Sequence, residues 1–454
     1  MIKSIKAKIE KDKHISELLR GSTSSLTVRV IGGGFGYLFT LIIGRVYGAE
    51  AAGIFALSFT VLQISAVLGR LGMDSAMLRF IAEYSARNGW DSVRASHKKA
   101  SKAVLAASLF LSVGAFFLSP NIARYIFHKE SLDSYFRIIS LGIVPYAFVL
   151  LNAESLRGLK KIKQYAFLQN TSNFLFASVF LGASVLIYRD IRMPIIAYTV
   201  ATFISYLTSY VLWSRETKKK PAGVLEKGIN LRGMLRVSMP MLLSNSLFFI
   251  VGWTSTIMLG AMSSEKDVGI FNVSLKVASL TSITLMAVNS IAAPKFGELW
   301  GTGKIRELRG VAQKSAKMMF WASFPVLLVF FFFPSFVLGM FGSEFKVGAT
   351  ALVLLSIGQF VNASSGSVGQ ILKMTGMQDI QSKIILAASV LNVTMNYFLI
   401  PRLGFLGAAI SSMCSTIFWN TGFLIAIYKE YKFVNLYLPF AGRVYGFFMG
   451  LLKL

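Results

Sequence analysis

One short polar stripe inside an apolar run carries the strongest candidate for binding chemistry. Asn272, Lys276 and Ser279 follow the i, i+4, i+7 spacing of one helical face. Lys276 lies about nine residues into its run, or roughly 13 Å at the rise of a helix, which is far for a lysine to snorkel back to the interface. An ammonium group at that depth could bind a pyrophosphate as a compact point charge, or it could pair with an acid inside the helix bundle.

Few other charges lie inside or beside apolar runs, where an ionisable side chain usually faces a cavity or a partner. Arg29 and Arg70 are candidate helpers in binding an anion, although Arg29 is close enough to the cytoplasmic side to snorkel. Glu154 is a candidate for ion coupling, but Arg157 three residues on also predicts a local helix pair. Asn245 is a candidate hydrogen-bonding group for sugars, or else a contact between neighbouring helices.

Residue types that carry catalysis or bind metals are scarce. Cys414 is the only cysteine and the chain has three histidines, so an intrachain disulfide and a thiolate–imidazole metal site are both excluded. His128, Glu130 and Asp133 share one short loop that a membrane glycosyltransferase or polymerase could use. The cluster stands alone and no glycine-rich nucleotide loop accompanies it. We therefore predict a protein that is not an enzyme and needs no cofactor.

The elements that position these side chains are apolar runs long enough to cross a bilayer. Of 454 residues, 54% are hydrophobic and 15% are charged, against about 25% charged in a soluble domain. The predicted membrane spans lie near 24–45, 51–72, 103–119, 135–155, 165–187, 193–213, 236–261, 268–292, 318–339, 348–370, 384–400 and 404–427. A thirteenth span at 435–454 is left open. The chain is predicted to be an all-α polytopic membrane protein.

Lysine and arginine are distributed unequally between the two sides of the predicted spans. Alternate segments, beginning with 1–23, hold 33 Lys and Arg, whereas the opposite connections hold 9. The positive-inside rule places the N-terminus in the cytoplasm of a multi-pass protein of the cell membrane. The net charge of +27 is thereby explained by basic segments that lie beside the lipid bilayer, the predicted partner. It does not imply a nucleic-acid partner.

An internal repeat predicts two similar halves. The stretch AAGIFALSFTV (51–61) returns as DVGIFNVSLKV (267–277), where Phe55 aligns with Phe271. The copies begin spans two and eight, which are six spans apart. Because six is an even number, both copies run in the same direction across the membrane. We predict a basic cytoplasmic segment (1–23), a six-helix lobe (24–213), a cytoplasmic linker (214–235), a second six-helix lobe (236–427) and a tail (428–454). Two such parallel-repeat lobes would face each other across a central cleft.

Several stretches resemble a known family. GRVYGAEAAGIFALSFTVLQISAVLGRLGMDSAMLRFIAEYSA (44–86) is similar to the start of the polysaccharide-transport flippases. These are the O-antigen and capsule translocases of the multidrug/oligosaccharidyl-lipid/polysaccharide (MOP) exporter superfamily. DVGIFNVSLKVASL (267–280), APKFGELW (293–300) and LGFLGAAISS (403–412) match later parts of the family pattern.

The resemblance implies a V-shaped transporter that works by alternating access. Its cargo would be a polyprenyl-pyrophosphate-linked oligosaccharide, the repeat unit of an O-antigen, capsule or exopolysaccharide, moved from the cytoplasmic to the outer leaflet. Glycan polymerase and assembly proteins are further partners that it suggests. A flippase for the peptidoglycan lipid precursor stays open as an alternative. A drug or cation antiporter of the same superfamily is disfavoured because buried acids are scarce.

Overall fold

The structure is a computed structural model that describes residues 13–218, 220–221, 230–437 and 439. All regular secondary structure in these residues is helical, which confirms the predicted all-α class. Helices are expected for apolar runs in lipid, because each run must satisfy its backbone hydrogen bonds within itself. The chain divides into two compact units, Met1–Ser246 and Leu247–Leu454.

The first unit consists of helices α1 to α8 and the beginning of α9. In chain order these are α1 Lys13–Gly69, α2 Met73–Ala86, α3 Trp90–Asn121, α4 Asp133–Ser140, α5 Ile143–Gly158, α6 Ile162–Asn170, α7 Ser172–Val185, α8 Met193–Lys218 and α9 Leu231–Met262. The long α1 is broken at Gly48, where φ is 84° and ψ is −175°, a conformation that glycine adopts without a steric penalty. This break separates the predicted spans 24–45 and 51–72.

An aromatic cluster forms part of the core of the first unit. The ring of Phe55 lies 5.1 Å from that of Phe39 and 5.6 Å from that of Tyr198, measured between centroids. Phe59 stacks on Phe55 at 5.7 Å and meets Tyr198 edge-on at 5.2 Å. These rings come from both sides of the Gly48 break and from α8, so the cluster fixes three helical segments against one another.

The second unit consists of the end of α9 and helices α10 to α17. These are α10 Glu265–Ala278, α11 Ile283–Gly301, α12 Ile305–Phe332, α13 Pro334–Gly339, α14 Ala349–Ser364, α15 Val368–Met374, α16 Gln378–Leu403 and α17 Phe405–Tyr431. A 3₁₀ turn, Ser279–Ser282, separates α10 from α11 within one predicted span. Gly366, with φ of 70°, separates α14 from α15.

Helix pairing follows the same order in the two units. In the first unit α1 packs on α7, α5 packs on α8, and α7 packs on α8. In the second unit α14 packs on α17 and α16 packs on α17, and Ser255 of α9 donates a hydrogen bond to Asn392 of α16 at 3.3 Å. Counted along each unit, these contacts join spans one and five, four and six, and five and six of the first unit and the spans of the same rank in the second. The superposition of Phe55 on Phe271 stays a prediction, as do the lobe boundaries.

The predicted spans fall mainly on helical residues. Eight helices of the described part are long and apolar enough to cross a membrane, and a ninth crossing is available if Glu130–Ser140 and Ile143–Gly158, bent by 45°, count as one. Residues 1–12 of the basic N-terminal segment and 222–229 of the linker lie outside the described residues. The same holds for nearly all of the open span 435–454.

Candidate functional site

A cavity of about 370 Å³ lies inside the second unit. It is bounded by residues of α9, α10, α11, α14, α15, α16 and α17. Its polar lining consists of Ser255, Asn289, Gln359, Asn362, Ser367, Gln370, Lys373, Gln381, Asn392, Ser412, Thr416 and Asn420. Its apolar lining includes the aromatic side chains of Phe271, Trp419 and Phe423. A pocket that combines aromatic walls with convergent hydrogen-bonding groups is the usual form of a small-molecule site.

One wall of the cavity is a hydrogen-bond network that joins three helices. Asn396 of α16 donates to Ser255 of α9 at 3.1 Å and to Asn392 at 2.9 Å. Asn392 donates to Ser415 of α17 at 3.1 Å, and the hydroxyls of Ser255 and Ser412 lie 3.0 Å apart. Because these groups mainly satisfy one another, this wall holds α9, α16 and α17 together.

Other residues of the lining differ in how far their side-chain oxygens are hydrogen-bonded. The hydroxyl oxygen of Ser367 and the side-chain oxygen Oδ1 of Asn289 are buried and have no hydrogen-bond partner among the described residues. Gln359 uses its side-chain oxygen to accept from Ser282 at 2.9 Å. These two oxygens have almost no accessible surface, so they belong to the packed interior behind the lining and do not face the open part of the cavity.

The charge of the lining is sparse and positive. Lys373 is the one charged side chain among the described residues that line the cavity, and the lining contains no carboxylate. Partial burial lowers the pKa of the Lys373 ammonium group below its ordinary value. Such a lining suits a neutral or anionic ligand, because its described residues offer no carboxylate to pair with a cation.

The predicted polar stripe of α10 lies beside the lining face of that helix. Phe271 and Leu275 line the cavity, whereas Asn272 and Lys276 follow each of them by one residue and so lie about 100° further round the helix. Asn272 accepts from Thr256 at 3.2 Å and donates to the carbonyl of Val268 at 2.9 Å, which ties α10 to α9.

The two other members of the stripe differ in their surroundings. Lys276 is half-buried. Ser279 is exposed, and its hydroxyl donates to the carbonyl of Lys276 at 2.6 Å. Their role in binding substrate stays a prediction.

Two further candidates of the first unit are paired with neighbouring charges. Arg70 is 6% exposed and lies 2.9 Å from Asp74, measured from Nε to Oδ2. Glu154, with 15% of its side chain exposed, lies 3.3 Å from Arg157, so the predicted local pair is present. Both pairs leave a buried charge with a partner only three or four residues away in sequence.

The remaining candidates have no described side chain or are tied into a loop. The side chains of Arg29 and Asn245 lie outside the described residues, although their backbones belong to α1 and α9. In the loop considered for an enzyme, Glu130 pairs with Arg124 at 3.6 Å and Asp133 with Arg137 at 2.9 Å. Both carboxylates of this loop thus form ion pairs with nearby arginines.

Sequence reasoning missed most of the cavity lining. Gln359, Ser367, Gln370 and Lys373 lie on either side of the Gly366 break, and three of them stand in one stretch, SVGQILK (367–373). The stretch combines small, amide and basic side chains at the end of an apolar run. That composition is the sequence signal that pointed to this part of the cavity lining. Among the described residues no group of three or more His, Cys, Asp or Glu side chains could hold a metal ion.

Solved structures of known transporters share this fold. An inward-closed structure of the lipid II flippase MurJ aligns with a TM-score of 0.72 at 12% identity, covering 90% of this chain and 87% of that chain. A multidrug resistance MATE family transporter of the MOP superfamily, in an inward-facing conformation, aligns with a TM-score of 0.70 at 16% identity, covering 89% of this chain and 96% of that chain. The fold of the chain is that of MOP-superfamily transporters.

Sequence comparison leads to the family. The probable low-salt glycan biosynthesis flippase Agl15 of Haloferax volcanii is 21% identical over 412 residues, which are 88% of this chain and 81% of that protein. The family model MatE matches residues 240–398. The model described as Polysaccharide biosynthesis protein matches residues 18–300, more than half of the chain. The resemblance found in the sequence is thus confirmed, and the chain belongs to the polysaccharide biosynthesis protein family.

Proposed function

We propose that this protein is a flippase that moves a polyprenyl-pyrophosphate-linked oligosaccharide from the cytoplasmic to the outer leaflet. The cargo would be the repeat unit of an O-antigen, a capsule or an exopolysaccharide. Family membership and the likeness to Agl15, a protein named as a probable glycan biosynthesis flippase, support this assignment. Transport would proceed by alternating access between the two six-helix lobes, 24–213 and 236–427.

The observation that carries the proposal is the chemistry of the cavity in the second unit. Its described lining offers amides, hydroxyls, aromatic rings and one lysine, and it contains no carboxylate. Sugars need hydrogen-bonding partners and a phosphate needs a cation, so this lining fits a glycosylated phosphate. A cationic drug would need acidic groups, and a drug or cation antiporter is accordingly disfavoured.

The pyrophosphate would be bound by the basic candidates. A pyrophosphate carries at least two negative charges, and moving it through a low-dielectric core requires compensating cations. We assign this role to Lys276 with help from Arg29 and Arg70. Asn272, Ser279 and Asn245 would add hydrogen bonds to the head group.

Ion coupling is assigned to Glu154. This carboxylate is largely buried beside Arg157, where loss or gain of a proton would change the local charge balance. The protein would lie in the inner membrane with its N-terminus in the cytoplasm, as the 33-to-9 distribution of basic residues between the two sides indicates. Glycan polymerase and assembly proteins would act on the cargo after it has crossed the membrane.

A flippase for the peptidoglycan lipid precursor is the second candidate, favoured by the likeness in fold to MurJ. A translocation assay with the purified protein in proteoliposomes distinguishes the two candidate functions. We expect translocation of a polyprenyl-pyrophosphate oligosaccharide that lacks a peptide, measured as its accessibility to an impermeant glycan-modifying enzyme. Translocation of lipid II in its place would assign the second function, and translocation of neither would contradict both.

A further inference from the structure

A short segment after the last helix packs behind one wall of the cavity. α17 ends at Tyr431, and Lys432 takes a left-handed conformation with φ of 55°, beyond which residues 433–437 have no regular secondary structure. We propose that this segment is a strap that holds the break between α14 and α15, and that Asn435 is its positioning residue. This role rests on the proposed function only in that the cavity belongs to the transport path.

The first residues of the strap are built into the core of the second unit. Phe433 and Val434 are buried and belong to an apolar cluster with residues of α11, α12, α15 and α17. The carbonyl oxygen of Val434 accepts a hydrogen bond from the side-chain amide of Gln313, on α12, at 3.5 Å. The strap is therefore a fixed part of this unit.

The break at Gly366 leaves carbonyl groups at the end of α14 that need donors from elsewhere. The last four carbonyl groups of a helix have no amide partner within that helix. Here the amides of Ser365 and Gly366 donate back to the carbonyls of Val361 and Ala363, at 2.9 and 3.0 Å. Gly366 then turns the chain with φ of 70°, so the amides of α15 point away from the carbonyls of Ser364 and Ser365.

Two donors of the strap satisfy these two carbonyl groups. Nδ2 of Asn435 donates to the carbonyl of Ser365 at 3.0 Å, and the backbone amide of Tyr437 donates to the carbonyl of Ser364 at 3.2 Å. Asn435 is fully buried, so water does not replace its hydrogen bond once the bond is lost. The strap thus caps the broken helix from outside.

Gly366 is packed tightly between the strap and α12. A Cβ atom on Gly366 would lie 2.8 Å from Cβ of Ala316 and 3.1 Å from Nδ2 of Asn435. Gly366 bounds the cavity, as does Gln370 on the following helix α15. Asn435 therefore stands directly behind this part of the wall, where it fixes the direction in which α15 leaves the break.

The far end of the strap is attached to α12. The ring of Tyr437 lies 5.4 Å from that of Phe320, measured between centroids. Its hydroxyl oxygen accepts a hydrogen bond from the indole of Trp321 at 3.4 Å. Trp321 is exposed, so a chemical reagent can reach this contact.

The reactivity of single cysteines tests whether Asn435 positions α15. Asn435→Leu keeps the approximate size of the side chain and removes the donor to Ser365. N-ethylmaleimide is applied to the full-length protein in nanodiscs, in a Cys414→Ser background, with one cysteine on either wall of the cavity: Gln370→Cys on α15 or Thr416→Cys on α17. Asn435→Leu should raise the rate at Gln370→Cys by about two- to ten-fold, the factor that one lost hydrogen bond gives, and leave Thr416→Cys unchanged.

Two further variants separate positioning from general stability. Asn435→Gln keeps an amide donor and should bring the rate at Gln370→Cys back toward that of the wild type. Leu259 is buried in α9 and lies outside the cluster that holds the strap, so Leu259→Ala should lower the melting temperature without changing this rate. If Asn435→Leu does not accumulate, the milder Asn435→Ser is measured in its place.

A cross-link tests whether the strap stays in place during transport. The double variant Trp321→Cys/Tyr437→Cys, also in a Cys414→Ser background, is joined by a cleavable bifunctional thiol reagent and reconstituted in proteoliposomes. A strap that only positions the break does not have to move, so the cross-linked protein should translocate the glycan like the same variant without the cross-link. Loss of translocation that returns on cleavage would overturn this role and make the strap a moving gate.

The cysteine assay can also contradict the proposal. Equal rates at Gln370→Cys in Asn435→Leu and the wild type would overturn it, as would equal increases at Gln370→Cys and Thr416→Cys. Failure of both Asn435→Leu and Asn435→Ser to accumulate would show that Asn435 is needed for folding and would overturn its positioning role. Because the maleimide assay needs no cargo, a wild type that translocates no glycan would contradict the proposed function and leave the measured role of the strap standing.

Discussion

Nε of Arg70 lies 2.9 Å from Oδ2 of Asp74, across the turn that ends the first long helix of the protein. Arg70 is 6% exposed, so its charge is largely removed from water and depends on this carboxylate. Its Nη1 atom is buried and has no hydrogen-bond partner among the described residues. The pair is thus a structural ion pair that leaves one buried donor of the guanidinium without a partner among the described residues.

Removing Asp74 alone should be more harmful than removing both members of the pair. Asp74→Asn leaves the buried Arg70 uncompensated, which costs about 3–5 kcal/mol, and the double variant Arg70→Met/Asp74→Asn should recover most of that loss. Stability in detergent, followed by thermal unfolding, measures the difference. If Arg70 also binds the cargo, the double variant should be stable and still transport poorly. Full transport by the double variant would leave Arg70 with a structural role only.

The asparagine network of the second unit should be a determinant of its stability. Asn392→Leu removes bonds to Ser415 and Asn396 and leaves buried polar groups without partners, so we expect a loss of about 1–3 kcal/mol. Val390→Ala on the same helix is the control, because Val390 is 60% exposed. The comparison is made by thermal unfolding of the purified proteins. Equal melting temperatures for Asn392→Leu and the control would contradict this role.

The helices were predictable because membrane insertion imposes a simple rule on the sequence. An apolar run of about 20 residues must form a helix to satisfy its backbone in lipid, whatever its neighbours are. The break at Gly48 also falls between two predicted spans. By contrast, the interruption of α10 and α11 at Ser279–Ser282 was missed, since a 3₁₀ turn changes neither length nor hydropathy.

The site was less predictable because composition does not say which helical face meets a cavity. Asn272 had the spacing of a binding stripe, yet it hydrogen-bonds to Thr256 of a neighbouring helix. A buried polar group uses the same kind of hydrogen bond to bind a ligand or to join two helices, so its sequence spacing does not distinguish the two roles. Ser367 and Asn289 are far apart in sequence and line the same cavity only through tertiary structure. The stretch 367–373 shows small, amide and basic side chains at the end of an apolar run, but hydropathy places Lys373 in a cytoplasmic loop and does not show that it lines a cavity.

Glu154 should be required for coupling to protons. Glu154→Gln can still accept a hydrogen bond from Arg157 but cannot exchange a proton, so the protein should accumulate while its transport loses dependence on a pH gradient. Translocation in proteoliposomes with and without an imposed gradient measures this. Glu83→Gln is the matched control, because Glu83 is exposed and pairs with Arg87 at 3.1 Å. Gradient dependence that persists in Glu154→Gln would remove Glu154 from the coupling mechanism.

The predicted topology can be checked by labelling. A single cysteine at Ala222, introduced together with Cys414→Ser, lies in the predicted cytoplasmic linker 214–235. An impermeant thiol reagent should label it only after the cells are opened, because the basic segments face the cytoplasm. Efficient labelling in intact cells would invert the topology.

Lys276 provides the most direct test of how the pyrophosphate is carried. Its charge lies in the last turn of α10 and well inside the predicted span 268–292, where a cation is expensive unless it serves an anion or an internal partner. Lys276→Ala should therefore lose glycan export while the protein still inserts and accumulates. Lys276→Arg should retain part of the export, since charge is the main requirement.

The control for Lys276 is a lysine near the start of the same helix. The side chain of Lys266 is 53% exposed and lies 3.8 Å from Glu344, so Lys266→Ala removes a positive charge without touching the membrane interior. We expect export by Lys266→Ala to be near that of the wild type. Export is measured by surface glycan, and protein level by immunoblot of the membrane fraction. Normal export by Lys276→Ala would contradict the anion-binding role, whereas loss of the Lys276→Ala protein itself would indicate that Lys276 stabilises the fold.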